Sequence, residues 1–255
     1  MRREAFDGME RLPEDAERGL AGIASDTVRG AAELYAQALG LASRLPAELL
    51  PALGEALLRG RRDMAPLLNL ALALVNSPDP EPELGRRIAA ARRAPGVIAA
   101  KAGALVGKGR RIITISRSST VLAALAALEP GRVLCLESEP GGEGRRLAAA
   151  LDERGVPAET VPDEDLYAAV KRVELGLCGA DTVTEHLFVN KIGTRRLAEV
   201  LCALGKPFYV AADRTKYLPV GFYEPPAPGG PFEEIPRSLV ARLIDDSDDD
   251  GHVSG

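Results

Sequence analysis

An α/β fold is predicted for this chain of 255 residues, with a helical N-terminal domain followed by a Rossmann-like C-terminal domain built on a parallel sheet. Apolar residues recur at helical spacing up to Val106, and short β-rich runs alternate with helical runs from Gly107 onward. Aromatic residues make up only 4% of the chain, so the core must be mainly aliphatic. Strand–helix alternation implies βαβ crossovers. We therefore expect domains over residues 1–106 and 107–240, followed by an acidic disordered tail over residues 241–255.

The N-terminal domain is predicted to consist of helices that stabilise one another, because each is amphipathic and has no core of its own. Asp26 is expected to cap the first long apolar helix. The predicted helical segments span residues 28–39, 46–59, 64–75 and 83–106. The proline-dense segment 78–82 is expected to be non-helical, and Pro95 is expected to kink or break the last helix.

The C-terminal domain is predicted to alternate five strands with four helices. The strands span residues 111–115, 132–137, 158–161, 175–178 and 207–211, and the helices span residues 118–127, 144–154, 163–170 and 193–204. In an open α/β sheet, ligands bind at the carboxyl ends of the strands. Functional side chains are therefore expected in the loops that follow the strands.

Composition and charge argue against several classes of protein. The net charge of −5 argues against direct nucleic-acid binding, which needs a basic face. No apolar run approaches the roughly 20 residues that cross a bilayer, so no membrane contact is expected. The three cysteines, Cys135, Cys178 and Cys202, show no metal-ligand spacing, and their odd number fits a reducing, cytoplasmic location. Neither a metal nor a cofactor is expected, and the acidic run 245–250 is expected to be solvated.

The loop after the first strand is rich in hydroxyl groups and carries an arginine. It reads Ser116-Arg117-Ser118-Ser119 at the predicted start of a helix, whose free N–H groups and dipole favour an anion. An ordinary serine N-cap accounts for one of these residues. It does not account for Arg117 and the additional hydroxyl groups, so the loop favours a phosphate-binding site.

Two further loops are candidates for the same site. The loop after the second strand contains three glycines between residues 141 and 144, which permit a tight turn but match neither GxGxxG nor a P-loop. After the fourth strand, Asp181 is placed to orient ligand hydroxyl groups or to transfer a proton. Asn190 and Lys191 precede another predicted helix start. Alternatively, Asp181 caps a turn and Lys191 is a solvated surface charge.

Six ordered motifs resemble those of one protein family. They are Val28-Arg29-Gly30-Ala31, the run from Ile113 to Ser119, Glu137-Ser138-x-Pro140 with Gly144, Gly179-Ala180-Asp181, Asn190-Lys191-Ile192-Gly193-Thr194 and Lys206-Pro207-Phe208-Tyr209-Val210. On these motifs the chain resembles the family that joins the alpha, beta and delta subunits of translation initiation factor 2B to ribose-1,5-bisphosphate isomerase and methylthioribose-1-phosphate isomerase. The resemblance spans the chain from Asp26 to Tyr217.

The resemblance implies a helical domain, a Rossmann-like domain and a homodimer formed through the latter. It also implies a cleft between the domains, where the family isomerases hold an aldose phosphate, so a phosphorylated sugar or nucleotide is the expected ligand. Arg29 and Gly30 would grip a phosphate of that ligand. Ser118 and Ser119 would line the same cleft.

The resemblance also implies an acid/base role for Asp181 and contacts from Asn190 and Lys191 to the sugar hydroxyl groups or the phosphate. The family isomerases place a cysteine in the first loop as the proton-transferring partner of this aspartate. This chain has Ser116 there. The pKa of a hydroxyl group lies far above that of a thiol, so Ser116 is a poor acid or base unless a neighbour activates it.

Glu139 and Glu143 replace an arginine and a glutamine of the family's second loop, and they would repel a phosphate unless Arg117 reverses the local charge. Three functions are therefore open. The favoured one is a protein that binds a sugar phosphate or nucleotide without efficient turnover. The second is an aldose–ketose sugar-phosphate isomerase in which Asp181 is the main acid/base and Ser116 or a water replaces the thiol. The third is a ligand-free structural subunit of an assembly.

Overall fold

The computed structural model describes residues 11–26, 29–60 and 64–248. The chain divides into two compact units, with the boundary between Arg92 and Arg93. Both contain completely buried aliphatic side chains, such as Leu34 and Leu53 in the first unit and Leu177 in the second. The predicted fold class, a helical region followed by an α/β domain, is confirmed.

The first unit is helical. Its elements are α1 (Glu14–Ser25), α2 (Ala31–Ala42), a 3-10 turn (Ala47–Leu49), α3 (Leu50–Gly60), α4 (Ala65–Asn76) and the beginning of α5 (Pro80–Val106). Gly54 lets α3 and α4 approach closely, because a Cβ at this position would lie 2.9 Å from the carbonyl oxygen of Ala71. The leucine- and alanine-rich faces of these helices are buried, as their amphipathic pattern predicts.

The start of α2 differs from the prediction. Asp26 lies at the C-terminal end of α1 and does not cap the next helix, which begins at Ala31 after Gly30. Its side chain instead closes the connection between the two helices, since the Arg29 backbone N–H donates a hydrogen bond to Asp26 Oδ1 at 2.8 Å. Val28, which was expected to be helical, lies outside the described residues.

The long helix α5 begins at Pro80, inside the proline-dense segment, and continues for 27 residues through Pro95. The predicted helix start at residue 83 is therefore wrong, and Pro95 does not break the helix; the kink expected there stays a prediction. Prolines are tolerated in a first turn, where the N–H groups have no intrahelical acceptor. Pro95 is exposed, so water can hydrogen-bond to the carbonyl group that loses its partner. None of the described helices is both long and apolar enough to cross a membrane.

The strands of the second unit form two sheets, one of six strands and one of three. In chain order they are β1 (Arg111–Thr114), β2 (Arg132–Leu136), β3 (Ala158–Val161), β4 (Leu175–Cys178), β5 (Thr182–Val183), β6 (Leu187–Lys191), β7 (Phe208–Ala211), β8 (Phe232–Pro236) and β9 (Arg242–Ile244). The larger sheet has six strands in the order β3-β2-β1-β4-β7-β9, and every neighbouring pair is parallel. This is the doubly wound order, in which the direction of winding reverses between β1 and β4.

Helices cover both faces of the large sheet. They are the end of α5, α6 (Ser119–Leu128), α7 (Glu143–Asp152), α8 (Leu166–Lys171) and α9 (Thr194–Ala203). Ile112 and Ile113, neighbours on β1, belong to two different buried clusters, one on each face. Ile98 and Ala102 of α5 pack in the cluster of Ile112. Because this part of α5 joins the core of the second unit, the boundary precedes the predicted one at Val106.

The smaller sheet, β5-β6-β8, is antiparallel, and the sequence pattern does not predict it. Residues 187–191 were expected to belong to a loop, but they form its central strand, with Phe188 paired to Ile235. The Phe188 side chain is completely buried and lies against Phe208, with ring centroids 6.4 Å apart. This sheet therefore places Asn190 and Lys191 on a fixed, buried strand.

Residues 242–248 do not form the disordered acidic tail that the sequence predicts. Strand β9 pairs with β7 at the edge of the large sheet. Beyond it, the Asp246 carboxylate accepts a hydrogen bond from the Arg214 backbone N–H at 2.7 Å. Residues 242–248 thus belong to the second unit, because a short apolar run completes the sheet and the acidic groups that follow find backbone donors. Residues 249–255 of the predicted tail lie outside the described residues.

Candidate functional site

The candidate site lies at the carboxyl ends of β1 and β4, where the winding of the sheet reverses and where open α/β sheets bind their ligands. The loops that follow these two strands touch each other. A Cβ at Gly179 would lie 2.7 Å from Ser118 Oγ and 2.8 Å from Ser118 Cβ. Only a glycine lets the loop after β4 approach the loop after β1 this closely. The structure therefore brings together the Ser118 and Gly179-Ala180-Asp181 segments that the sequence singles out.

Ser116 adopts a left-handed backbone conformation, with φ of 66°, which is uncommon for a residue other than glycine. Its backbone N–H donates a hydrogen bond to Ser138 Oγ at 2.7 Å. Ser138 is itself buried, and its hydroxyl group donates to the Leu136 carbonyl at 3.0 Å. Ser138 thus holds the loops after β1 and β2 together, a role that the sequence pattern did not reveal.

Ser118 forms the N-cap of α6, since its Oγ accepts a hydrogen bond from the Val121 backbone N–H at 3.3 Å. One serine is therefore an ordinary cap, as the simpler interpretation of this loop predicts. Arg117 and Ser119 are exposed beside the same helix start. Their contact with a phosphate stays a prediction.

Two carboxylates of the second loop pair with one cation of the chain itself, Arg145. Arg145 Nη1 lies 2.8 Å from Glu137 Oε1, and its other terminal nitrogen pairs with Glu139. The Asp163 side chain closes the same loop by accepting hydrogen bonds from the backbone N–H groups of Ser138, at 3.0 Å, and Glu139, at 2.8 Å. One guanidinium group is thus shared by two carboxylates, so Arg145 offsets part of the negative charge of this loop.

Lys191, the last residue of β6, pairs with Glu143, the first residue of α7. The Lys191 Nζ to Glu143 Oε1 distance is 2.9 Å, and the exposed fractions of the two side chains are 5% and 17%. The alternative that Lys191 is a solvated surface charge is therefore wrong. Its ammonium group is buried and engaged by a carboxylate, and its contact with a ligand stays a prediction.

Asn190 organises the start of α9. Its Nδ2 donates a hydrogen bond to Thr194 Oγ1 at 3.0 Å, and that hydroxyl group donates to the Lys191 carbonyl at 2.6 Å. Gly193 caps the helix with φ of 95°, and a Cβ there would lie 3.1 Å from Ile115 Cδ1. The beginning of α9 thus lies beside the loop after β1. The predicted ligand contact of Asn190 remains untested.

Asp181 follows β4 and lies close enough to Cys178, the last residue of that strand, to affect its thiol. Burial, and secondarily the Asp181 carboxylate, hold the pKa of the Cys178 thiol well above its ordinary value, while Lys216 acts in the opposite direction. Lys216 belongs to a 3-10 turn (Arg214–Lys216) after β7, and only 2% of its surface is exposed. This lysine was not predicted from the sequence. The usable signal was its position shortly after a predicted strand, at the same sheet edge.

Arg29 and Gly30 belong to the first unit. Arg29 Nη1 pairs with Asp26 Oδ2 at 2.7 Å, and Gly30 is the N-cap residue of α2. Their predicted grip on a phosphate stays a prediction. Within the described residues, no group of three or more histidine, cysteine, aspartate or glutamate side chains is arranged to hold a metal ion.

The fold and the site define an α/β protein with a helical unit and a doubly wound unit whose switch-point loops present hydroxyl groups and a helix N-terminus. The model of the initiation factor 2 subunit family matches residues 83–220. The chain belongs to this family, as its motifs predict.

Three relatives illustrate the relationship. The chain is 34% identical over 224 residues to the putative translation initiation factor eIF-2B subunit 2-like protein of Pyrococcus furiosus, covering 81% of this chain and 80% of the relative. It is 28% identical over 116 residues to the ribose 1,5-bisphosphate isomerase of Methanocaldococcus jannaschii, covering 44% and 38%. The crystal structure of the Pyrococcus horikoshii translation initiation factor eIF-2B superposes with a TM-score of 0.75 at 28% identity, covering 91% of this chain and 95% of that one.

Proposed function

We propose that this protein binds a phosphorylated sugar or nucleotide at the switch-point loops and does not turn it over efficiently. The observation that carries the proposal is the contact of Gly179 with Ser118 at the start of α6. It brings the acid/base candidate Asp181 and a helix N-terminus, which favours anions, to one edge of the sheet. Similarity to ribose 1,5-bisphosphate isomerases supports a phosphorylated sugar as the ligand.

The lack of a suitable proton-transferring partner for Asp181 supports binding without turnover. Proton transfer at neutral pH needs a group whose pKa lies near the operating pH. Ser116 supplies a hydroxyl group where the family isomerases have a cysteine. Cys178 is completely buried, its Sγ contacts the Gly179 carbonyl at 3.2 Å, and its raised pKa keeps it a neutral thiol. Neither residue is a good partner for Asp181.

Ligand binding is tested by a thermal-shift screen of the full chain with ribose 1,5-bisphosphate, ribose 5-phosphate, methylthioribose 1-phosphate and AMP. A ligand at 100 times its Kd stabilises the folded state by about 2.7 kcal/mol. Arg117→Ala is expected to weaken binding at least tenfold, because a charge-assisted hydrogen bond contributes about 1.5–3 kcal/mol. Arg154→Ala, which removes an exposed arginine just beyond the far end of α7, is the matched control. No shift with any of the four compounds would overturn the proposal and leave the structural-subunit function.

A second candidate function is sugar-phosphate isomerisation, favoured by Lys216. The Asp181 carboxylate and the buried Lys216 ammonium group both act on the Cys178 thiol at the end of β4. This region therefore contains a carboxylate base and a cation that can polarise a carbonyl group. We expect each binding compound, incubated with the protein in D₂O, to show neither ketose product nor deuterium at C2. If deuterium appears, Asp181→Asn should abolish its incorporation, and Ser116→Cys should increase it. Exchange that survives Asp181→Asn would contradict the assigned role of Asp181.

The second unit also presents exposed apolar side chains, which support a homodimer formed through it. Ile192 and Phe222 are 46% and 51% exposed. Isolated apolar residues are common on surfaces, so these two side chains do not establish a dimer by themselves. The homodimer is therefore part of the proposal, and so is the cytoplasmic location. Sedimentation velocity of the full chain distinguishes a dimer from a monomer.

A further inference from the structure

The pair of Glu143 and Lys191 joins two segments that lie 48 positions apart in the chain, at the same edge of the sheet as the candidate site. Lys191 Nζ lies 2.9 Å from Glu143 Oε1. Both segments adjoin the loop after β1. The Ser116 N–H bonds to Ser138 in the loop that leads to Glu143, and Gly193, next to the end of β6, lies against Ile115. The pair therefore belongs to the proposed ligand site.

The Glu143 side chain folds back toward the residues that precede α7. A Cβ at Gly141 would lie 2.2 Å from Glu143 Oε1, so the carboxylate occupies the space that a side chain at this position would take. Glu143 is also the first residue of α7. Its carboxylate thus lies at the positive end of the helix dipole and in contact with an ammonium group, a position that suits an anion.

The two oxygens of this carboxylate differ in their partners. Oε1 accepts from Lys191, whereas Oε2 is buried and accepts no hydrogen bond from the described residues. A buried acceptor without a partner is unfavourable, so Oε2 favours a hydrogen-bond donor close to it. A hydroxyl or amino group supplies such a donor. An ionised phosphate supplies none and adds like charge.

We propose that Glu143 is a specificity-determining residue that acts as a built-in anion at this end of the ligand site. It occupies the place beside Lys191 and the start of α7, excludes a phosphate there and accepts a hydroxyl or amino group of the ligand through Oε2. The inference rests on the proposed function, because it concerns the same site. It assigns the ligand to the class of monophosphates with a free hydroxyl or amino end, and it argues against bisphosphates.

The first test measures inorganic phosphate binding, which does not depend on the identity of the ligand. Thermal shifts of the full chain are recorded with increasing potassium phosphate against potassium chloride at equal ionic strength. Glu143→Gln is expected to bind phosphate at least tenfold more tightly than the wild type, and Glu143→Ala provides a second variant without the charge. Glu153→Gln, the same change at the exposed opposite end of α7, should match the wild type. Lys191→Met combined with Glu143→Gln should remove the gain.

The second test compares ribose 1,5-bisphosphate with ribose 5-phosphate. The wild type should bind ribose 5-phosphate at least tenfold more tightly than ribose 1,5-bisphosphate, and Glu143→Gln should bind the bisphosphate at least as tightly as the monophosphate. A wild type that binds the bisphosphate as tightly as ribose 5-phosphate, or more tightly, would overturn this inference and leave the proposed function intact. If none of the four screened compounds binds but Glu143→Gln gains phosphate affinity, the proposed function fails and the role of Glu143 stands. Equal phosphate affinities of the wild type and both Glu143 variants would overturn the inference.

Discussion

Gly144→Ala is expected to destabilise the second unit by about 3 kcal/mol or more, since a methyl group forced into a packed site costs about 1–3 kcal/mol and a backbone overlap costs more. A Cβ at this position would lie 1.6 Å from the Leu136 carbonyl oxygen and 2.7 Å from its carbonyl carbon. These are backbone atoms of β2, so no side chain can rotate away. Relief requires α7 to move off the sheet, where it buries Leu147 and Leu151 completely.

The measurement is urea unfolding followed by circular dichroism, with hydrogen exchange of the β2 amides assigning the transition to the second unit. Gly103→Ala is the matched control. This glycine lies in α5 in the second unit, and its Cβ would meet nothing within 4 Å. Alanine should therefore stabilise the helix there by about 0.5–1 kcal/mol. If Gly144→Ala unfolds within about 1 kcal/mol of the wild type, the close approach of α7 to β2 is contradicted.

Lys191→Met is expected to destabilise the second unit by about 2–4 kcal/mol, because removing one partner of a buried ion pair leaves the other charge uncompensated. Methionine matches the length of the lysine stem, so little packing is lost. The remaining Glu143 carboxylate is 17% exposed and would lose the partner of Oε1, while Oε2 already has none among the described residues. Partial exposure of Glu143 places the expected loss somewhat below that of a fully buried pair.

A double-mutant cycle with Glu143→Gln separates the pair from its surroundings. The double variant should be more stable than Lys191→Met alone, because it no longer buries an unpaired carboxylate. Lys206→Met is the control for loss of a lysine that pairs with no carboxylate, because Lys206 donates to the backbone carbonyl groups of Val170 and Val173. Additive effects in the Glu143 cycle would contradict a coupled pair.

The large sheet was predictable because its strands are short, continuous apolar runs separated by helical segments. The predicted strand 132–137 corresponds to β2, and the predicted strand 175–178 has the same bounds as β4. Such runs indicate local structure, since a strand buried on both faces must be apolar throughout. The smaller sheet was not predictable. Its strands β5 and β8 are either two residues long or partly polar, and pairing across the chain holds them in place.

The loops of the site were identified from residue type and position, whereas their internal contacts were not. Ser116, Ser118 and Asp181 follow predicted strands, so their sheet edge follows from the topology rule for parallel sheets. Lys216 was not predicted as a site residue because it lies in a 3-10 turn after the last predicted strand. Ser138 was not predicted because its role is to accept a hydrogen bond from the Ser116 backbone N–H. Such contacts depend on which loops meet in space.

The sequence by itself determined the family, the division into helical and α/β parts, and the sheet edge that carries the candidate site, because these follow from hydrophobic periodicity and from motifs that are local in the chain. The tertiary structure alone decided which charges meet. Lys191 pairs with Glu143, and Arg145 pairs with Glu139. Whether a lysine is paired with a carboxylate depends on residues that are far away in the sequence. Electrostatic energy varies with distance and burial, and a hydrophobic pattern along the chain does not reveal either.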